Sequence, residues 1–227
     1  NAETLTYLNE NTREEIVEVI GAKALARQLH NLSTDDAIDI IEELEEDALA
    51  DVLAALSSEK RVLVEESLSF PEDSAGRLMQ REIVTVPSFW TVGQTIDFLR
   101  SGEIKTADFY LIFVVDPARK PLGEVPLSKL LCSQRHCRIL EIMEGDFRLI
   151  PVNMDQEEVA VLFRRYGMVS AGVVDLRNRL VGMITIDDVI DVIDEEAEED
   201  LMALAGVGVA SLRSSIIETM RGRTAWL

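Results

Sequence analysis

Asp188 and Asp191 stand three residues apart in the run TIDDVIDVIDEEAEED, and on a helix that spacing puts both carboxylates on one face, where they address one ion or one opposing surface. The chemistry this suggests is oxygen coordination of a hard divalent cation. Of the sixteen residues from Thr185 to Asp200, nine are Asp or Glu and none is Lys or Arg, so the charge has no local answer. A second acidic stretch runs from Asn31 to Glu59, again without a basic residue, and Asp35, Asp36 and Asp39 repeat the spacing there. Two like charges about 4 Å apart cost on the order of 4 kcal/mol at an effective dielectric near 20, so two such faces repel unless a cation lies between them. Mg²⁺ suits the task because it takes one or two carboxylates and keeps its waters, which predicts several weak sites.

Other chemistries find less support. The 227 residues carry 42 acidic and 22 basic side chains, a formal charge of -20, which disfavours nucleic acid as a partner. Neither His30 nor His136 sits in a recognisable catalytic motif, and no phosphate-cradling glycine loop or activated nucleophile is present, so an enzyme is not expected. Cys132 and Cys137 are too few for a disulfide framework, and with no signal peptide at the start of the sequence they read as free thiols in a reducing cytosol. With His136 between them they offer three zinc ligands, but no second cluster completes a tetrahedral site.

The elements that must position the carboxylates fall into two kinds. From about Arg13 to Ser69 the apolar residues recur with helical period, and short segments open on Ser33-Thr34-Asp35-Asp36 and Ser57-Ser58-Glu59, whose side-chain oxygens are suited to capping. This predicts a small all-α superhelical domain over 1–70. After Pro71 and Gly76 the pattern changes to alternating strands and helices. Val114-Val115-Asp116 answers to Val173-Val174-Asp175, and Leu122-Gly123-Glu124-Val125 to Val181-Gly182-Met183-Ile184, so the α/β part is an internal repeat whose copies should pair about a pseudo-twofold axis. The boundaries expected are 71–136 and 137–200, with a terminal helix over 201–227. No run reaches the roughly 18 apolar residues that span a bilayer, yet Arg221 and Arg223 before Trp226 and Leu227 have the character of a cytoplasmic membrane boundary. With no Met at position 1, the sequence reads as a piece of something longer.

The β-α-β-β-α repeat, with Leu78-Met79 and Ile142-Met143 opening its copies, resembles a tandem pair of CBS domains over about Ser74 to Glu195. The order of acidic helical domain, PEDSAGRLM, repeat pair and TIDDVIDVIDEEAEEDLMALAGV is similar to the cytosolic region of the MgtE family of magnesium transporters. The resemblance implies a homodimeric gate on the cytoplasmic face of the inner membrane, joined beyond Leu227 to five transmembrane helices. It implies that Asp35, Asp36 and Asp39 face Asp188 and Asp191, and that Glu157, Glu196, Glu199 and Asp200 are further metal positions. Gly167, in RRYGMVSAG, departs from the pattern, since family members can carry an acidic metal-binding residue there. CBS pairs often hold ATP or another adenosyl nucleotide, and Gly182, Thr185 and Asp188 fit that pattern in the second copy; in the first, Lys129 stands where the acid would be. A homodimer face is expected to include Val92, Ile96 and Leu99 or Val159 and Leu162. The alternative reading is a soluble nucleotide-sensing CBS protein that regulates another partner.

Overall fold

The computed structural model describes residues 19–42, 44, 46–102 and 109–204. The expected terminal helix over 201–227, with Arg221, Arg223 and Trp226, falls almost wholly outside these. The helical part contains α1 (Ala22–Leu29), α2 (Thr34–Ile41), α3 (Glu46–Ala55) and α4 (Ser58–Leu68). Leu25, Leu29, Ile40, Ile41, Val52 and Val64 close a core of their own, with α1 on α3 and α2 on α4. Ser57 caps α4 as its sequence predicts, its hydroxyl accepting the Lys60 N–H at 3.3 Å. Ser33 does not cap α2. Its hydroxyl donates to Asp36 Oδ2 at 2.7 Å, and the Thr34 N–H at the helix start goes instead to Glu82 Oε2 at 3.0 Å.

The remainder is a repeat built twice. A short helix, α5 (Ala75–Leu78), precedes β1 (Thr85–Pro87), α6 (Val92–Leu99), β2 (Leu111–Val115), β3 (Pro121–Pro126) and α7 (Leu127–Cys132). The second copy follows as α8 (Ile139–Ile142), β4 (Leu149–Pro151), α9 (Gln156–Tyr166), β5 (Ser170–Val174), β6 (Leu180–Thr185) and α10 (Ile186–Leu204). Each three-stranded sheet has one parallel and one antiparallel pairing, and both break register at the same place, Val114/Val115 and Val173/Val174. Even the turns repeat: Asp116 accepts the N–H groups of Ala118 and Lys120, and Asp175 those of Arg177 and Arg179.

The opening helices are exchanged between the copies. Ala75 and Met79 enter the core under β4–β6, with Ile150, Phe163, Val173 and Ile184, whereas Ile139 and Met143 pack under β1–β3. Two bridges fix this, Gln80 to Met183 and Glu124 to Glu144. Gly182 is needed where the incoming segment crosses, since a Cβ there would lie 2.6 Å from Met79 Sδ and 2.7 Å from the Gln80 carbonyl; Gly123 meets the Glu144 carbonyl in the same way at 2.6 Å. Phe113, Leu180 and Met183 join the two sheets. The exposed face expected around Val92 and Val159 is corrected: both are fully buried, because their side of α6 and α9 packs on the sheets. Ile96, Leu99 and Leu162 are half-buried.

Candidate functional site

The first turns of α2 and α10 bring their acids within electrostatic reach of one another, and each places those acids where a helix N-terminus favours them. Thr185 ends β6 and Asp188 reaches back to it: Asp188 Oδ2 accepts the Thr185 hydroxyl at 2.6 Å and its N–H at 3.1 Å. Burial nevertheless pushes the Asp188 carboxyl up from 3.8 to about 6, with Asp187 and Asp36 adding to it against the two Thr185 hydrogen bonds. Asp35 is only 6% exposed, and its Oδ1 is buried with no hydrogen-bond partner. Its pKa is raised well above the ordinary range by burial first, then by Asp188 and Asp36, although Ser33 and the backbone oppose the shift. Asp191 is raised too, by partial burial and by Asp187, Asp194 and Asp36. The sequence-predicted acids Asp35, Asp36, Asp188 and Asp191 therefore lie within electrostatic reach across one seam, as two helix ends that are locally favourable and mutually repulsive.

The other candidates are more dispersed. Asp39 is exposed on α2, Glu157 is exposed in the first turn of α9, and Glu196 is half-buried on α10. Glu199 and Asp200 lie within the span of α10, and their side chains fall outside the described residues. Among the described residues no group of three or more His, Cys, Asp or Glu side chains is drawn tightly enough to chelate an ion, so any cation at the seam would rest on one or two carboxylates and water. Gly167 terminates α9 with φ 61°, the left-handed conformation that favours glycine there. Cys132 and His136 are exposed and Cys137 is half-buried.

Sequence reasoning missed the basic side of the seam. Lys60 is 6% exposed, and its ammonium donates to the Leu32 carbonyl at 2.8 Å, Glu82 Oε1 at 2.9 Å and Thr34 Oγ1 at 3.4 Å. Glu82, from the segment before β1, also accepts the Thr34 hydroxyl at 2.8 Å. Burial works against ionisation of Glu82, but Lys60 and Thr34 outweigh it and hold its carboxyl below the usual range. Arg81 pairs with Glu66 at 2.6 Å and Arg77 approaches Glu42 at 3.6 Å, so three cations tie the helical part to the repeat. No local pattern announces Glu82, which lies 48 residues from the helix it caps.

A cleft of about 810 Å³ lies between the two copies, lined among others by Tyr110, Glu124 and Ser128 of the first and Arg148, Tyr166 and Ser170 of the second. The Arg148 guanidinium stacks 3.5 Å from the Tyr166 ring centre. Burial, helped by Glu144, pushes the Glu124 carboxyl up to about 7, while Lys129 is held by Glu144 at 3.0 Å. The strand registers make Pro126 the counterpart of Thr185 and Lys129 that of Asp188. The residues singled out for nucleotide lie at the equivalent place of the second copy: Gly182 is covered by Met79, Thr185 is hydrogen-bonded to Asp188, and Asp188 lies within electrostatic reach of Asp35 and Asp36 on α2.

Two β-α-β-β-α repeats with exchanged opening helices, carrying a separate acidic helical unit docked on the second, define a tandem CBS module with a helical regulatory domain. Family models match accordingly, the MgtE intracellular N domain over residues 1–73 and the CBS domain over 139–195. The chain belongs to the MgtE family. It is 32% identical to the magnesium transporter MgtE of Thermus thermophilus, an alignment covering 100% of this chain and 52% of that protein. The solved cytosolic domain of the Mg²⁺ channel MgtE in complex with ATP is 34% identical, covers 84% of this chain and 78% of its own, and superposes with a TM-score of 0.79. The soluble part of a magnesium transporter, 28% identical, covers 86% and 77% with a TM-score of 0.81. The chain spans about half the length of the first of these curated relatives. Among the described residues no helix is long and apolar enough to cross a membrane.

Proposed function

We propose that this chain is the cytosolic Mg²⁺-sensing region of a magnesium transporter, and that it closes a gate when divalent cations join the acidic faces of α2 and α10. The observation that carries the reading is Asp35, a buried carboxyl with an unpartnered oxygen set against Asp188. A partnerless buried oxygen is costly, and a cation or its bound water satisfies it. A bound Mg²⁺ supplies the positive charge that lets the seam carboxylates stay ionised together. The chain's own residues do the rest: helices α2 and α10 hold Asp35, Asp36, Asp188 and Asp191 at the seam, and Thr185 orients Asp188. Any ion that prefers the closed arrangement shifts the population toward it in proportion to that preference. Asp39, Glu157, Glu196, Glu199 and Asp200 are further weak positions under this reading. The transport path belongs to the rest of a longer protein, and the region works as a homodimer.

Small-angle scattering across millimolar Mg²⁺, at ionic strength matched with monovalent salt, tests this. Compaction of the parent and none in an Asp188→Ala, Asp191→Ala variant is expected, with a scattering mass of two chains; no magnesium-specific change in the parent refutes the gate. A second ligand is favoured by the cleft between the copies and by the relative solved with ATP. We assign an adenosyl nucleotide to it, with the Arg148–Tyr166 pair beside the base and the mouth near Ser128.

A further inference from the structure

The cleft between the copies holds an acid that the fold does not ask for. On β3 the side chain of Val125 is buried on the inner face, and Glu124, one residue before it, stands on the opposite face and lines the cleft. The strand registers make Met183 the counterpart of Glu124 in the second copy, where it is buried beside Phe113. Both positions are held alike by the segment that crosses them. Glu124 and Glu144 exchange backbone hydrogen bonds at 3.0 and 2.7 Å, and Met183 and Gln80 do so at 3.0 and 2.9 Å. A methionine satisfies this backbone arrangement in one copy, so the carboxyl in the other has a different reason to be there.

The same bridge fixes two acids side by side with one cation to share. Lys129, from α7, pairs with Glu144 at 3.0 Å, and among the described residues no cation pairs with Glu124. Of the other charged groups at the cleft, Asp146 adds a third acid and Arg148 lies over the Tyr166 ring; opposite Glu124 on β2 stands Phe113, which carries no charge. Burial and Glu144 accordingly push the Glu124 carboxyl up to about 7. A ligand that brings phosphate here sets more negative charge beside an acid with no cation of its own, and a proton on Glu124 relieves the repulsion. We propose that Glu124 makes nucleotide binding in this cleft proton-linked, an anionic nucleotide entering with the acid neutral and drawing one proton from solvent onto its carboxylate when it starts ionised. The inference rests on the nucleotide reading of the cleft. It makes occupancy follow pH as well as nucleotide concentration, through a residue that belongs to neither α2 nor α10.

The test is calorimetric titration of the whole 227-residue chain with ATP at pH 6, 7 and 8, at one fixed free Mg²⁺ concentration and in buffers of different ionisation enthalpy. The parent is run beside Glu124→Gln and Glu124→Met, the second of which copies the residue of the other repeat. The ATP phosphates titrate over the same interval in every sample, so the difference between proteins isolates Glu124. Relative to both variants, the parent should lose about tenfold in affinity from pH 6 to pH 8 and take up about one more proton per ATP at pH 8. Equal pH slopes and equal proton counts in parent and variants overturn the link and leave the nucleotide reading standing. Loss of ATP binding in both variants, with the parent still binding at pH 8, also overturns it, since the ligand then needs the ionised acid. Failure of the nucleotide reading looks different: ATP gives no heat with any of the proteins at any pH, and the link falls with it.

Discussion

Asp35 and Asp188 are acids whose own burial resists their charge, and this fixes how the seam responds to pH. A carboxyl raised from 3.8 to about 6 binds its proton more tightly in the folded state, so without metal the Asp188 contribution favours the closed form at low pH. That contribution declines as pH rises from about 4 to about 6 and is gone above it, a change of ~3 kcal/mol. Cation binding runs the other way, because it needs the ionised form. Thermal unfolding at pH 5 and pH 7, with and without Mg²⁺, should therefore show a larger magnesium stabilisation at pH 7. An equal gain at both values removes the seam carboxylates as the sensor. The acids themselves were legible in the sequence, since their spacing and lack of nearby bases are local facts. Which acids of the two distant segments face one another was not, and came only from the resemblance.

At the scale of elements, the repeat was legible because Val114-Val115-Asp116 and Val173-Val174-Asp175 recur in order, and the structure answers with matching registers and turns. The exchange of opening helices leaves no comparable mark, because an apolar Leu78-Met79 fits under either sheet. The same blindness applies to α2, where Ser33 has the composition of a cap and Glu82 does the capping. Thr185 and Asp188 hydrogen-bond to each other at the start of α10, a helix-start arrangement that composition alone does not reveal. Met79 offers a direct check of the exchange. It is fully buried beneath β6, so Met79→Ala should cost about 2 to 5 kcal/mol in urea unfolding. A cost below about 1 kcal/mol would mean that the segment does not fill the second core.

Over the whole molecule, the two copies differ at equivalent places: the start of α10 in the second faces α2, while the start of α7 in the first borders an open cleft that residues of both copies line. Glu124 in that cleft, raised to about 7, sets a condition on an anionic ligand. ATP at a hundred times its dissociation constant should stabilise the chain by about 2.7 kcal/mol. Glu124→Gln should bind it more tightly than the parent at pH 8, where the parent's acid is ionised. Absence of any thermal shift with millimolar ATP, in both proteins, excludes the nucleotide. The formal charge of -20 was plain from composition, whereas the buried Lys60 that offsets part of it at the interface is one basic residue among 22 and carries no local signal.

The crossing of α5 under the second sheet also settles how force travels. The helical unit hands over to Ser74–Gln80, which is stitched to Val152, Met154 and Met183, and β6 of that same sheet runs directly into α10. A pull between the helical unit and α10 therefore passes through β4–β6, with the Lys60–Glu82 and Arg81–Glu66 pairs sharing it at the segment before β1. The first copy touches this load path through Phe113, Leu180 and Met183, and the cleft is walled on its other side by Tyr166 and Ser170 of the second copy, so a molecule seated there braces the lever against its neighbour.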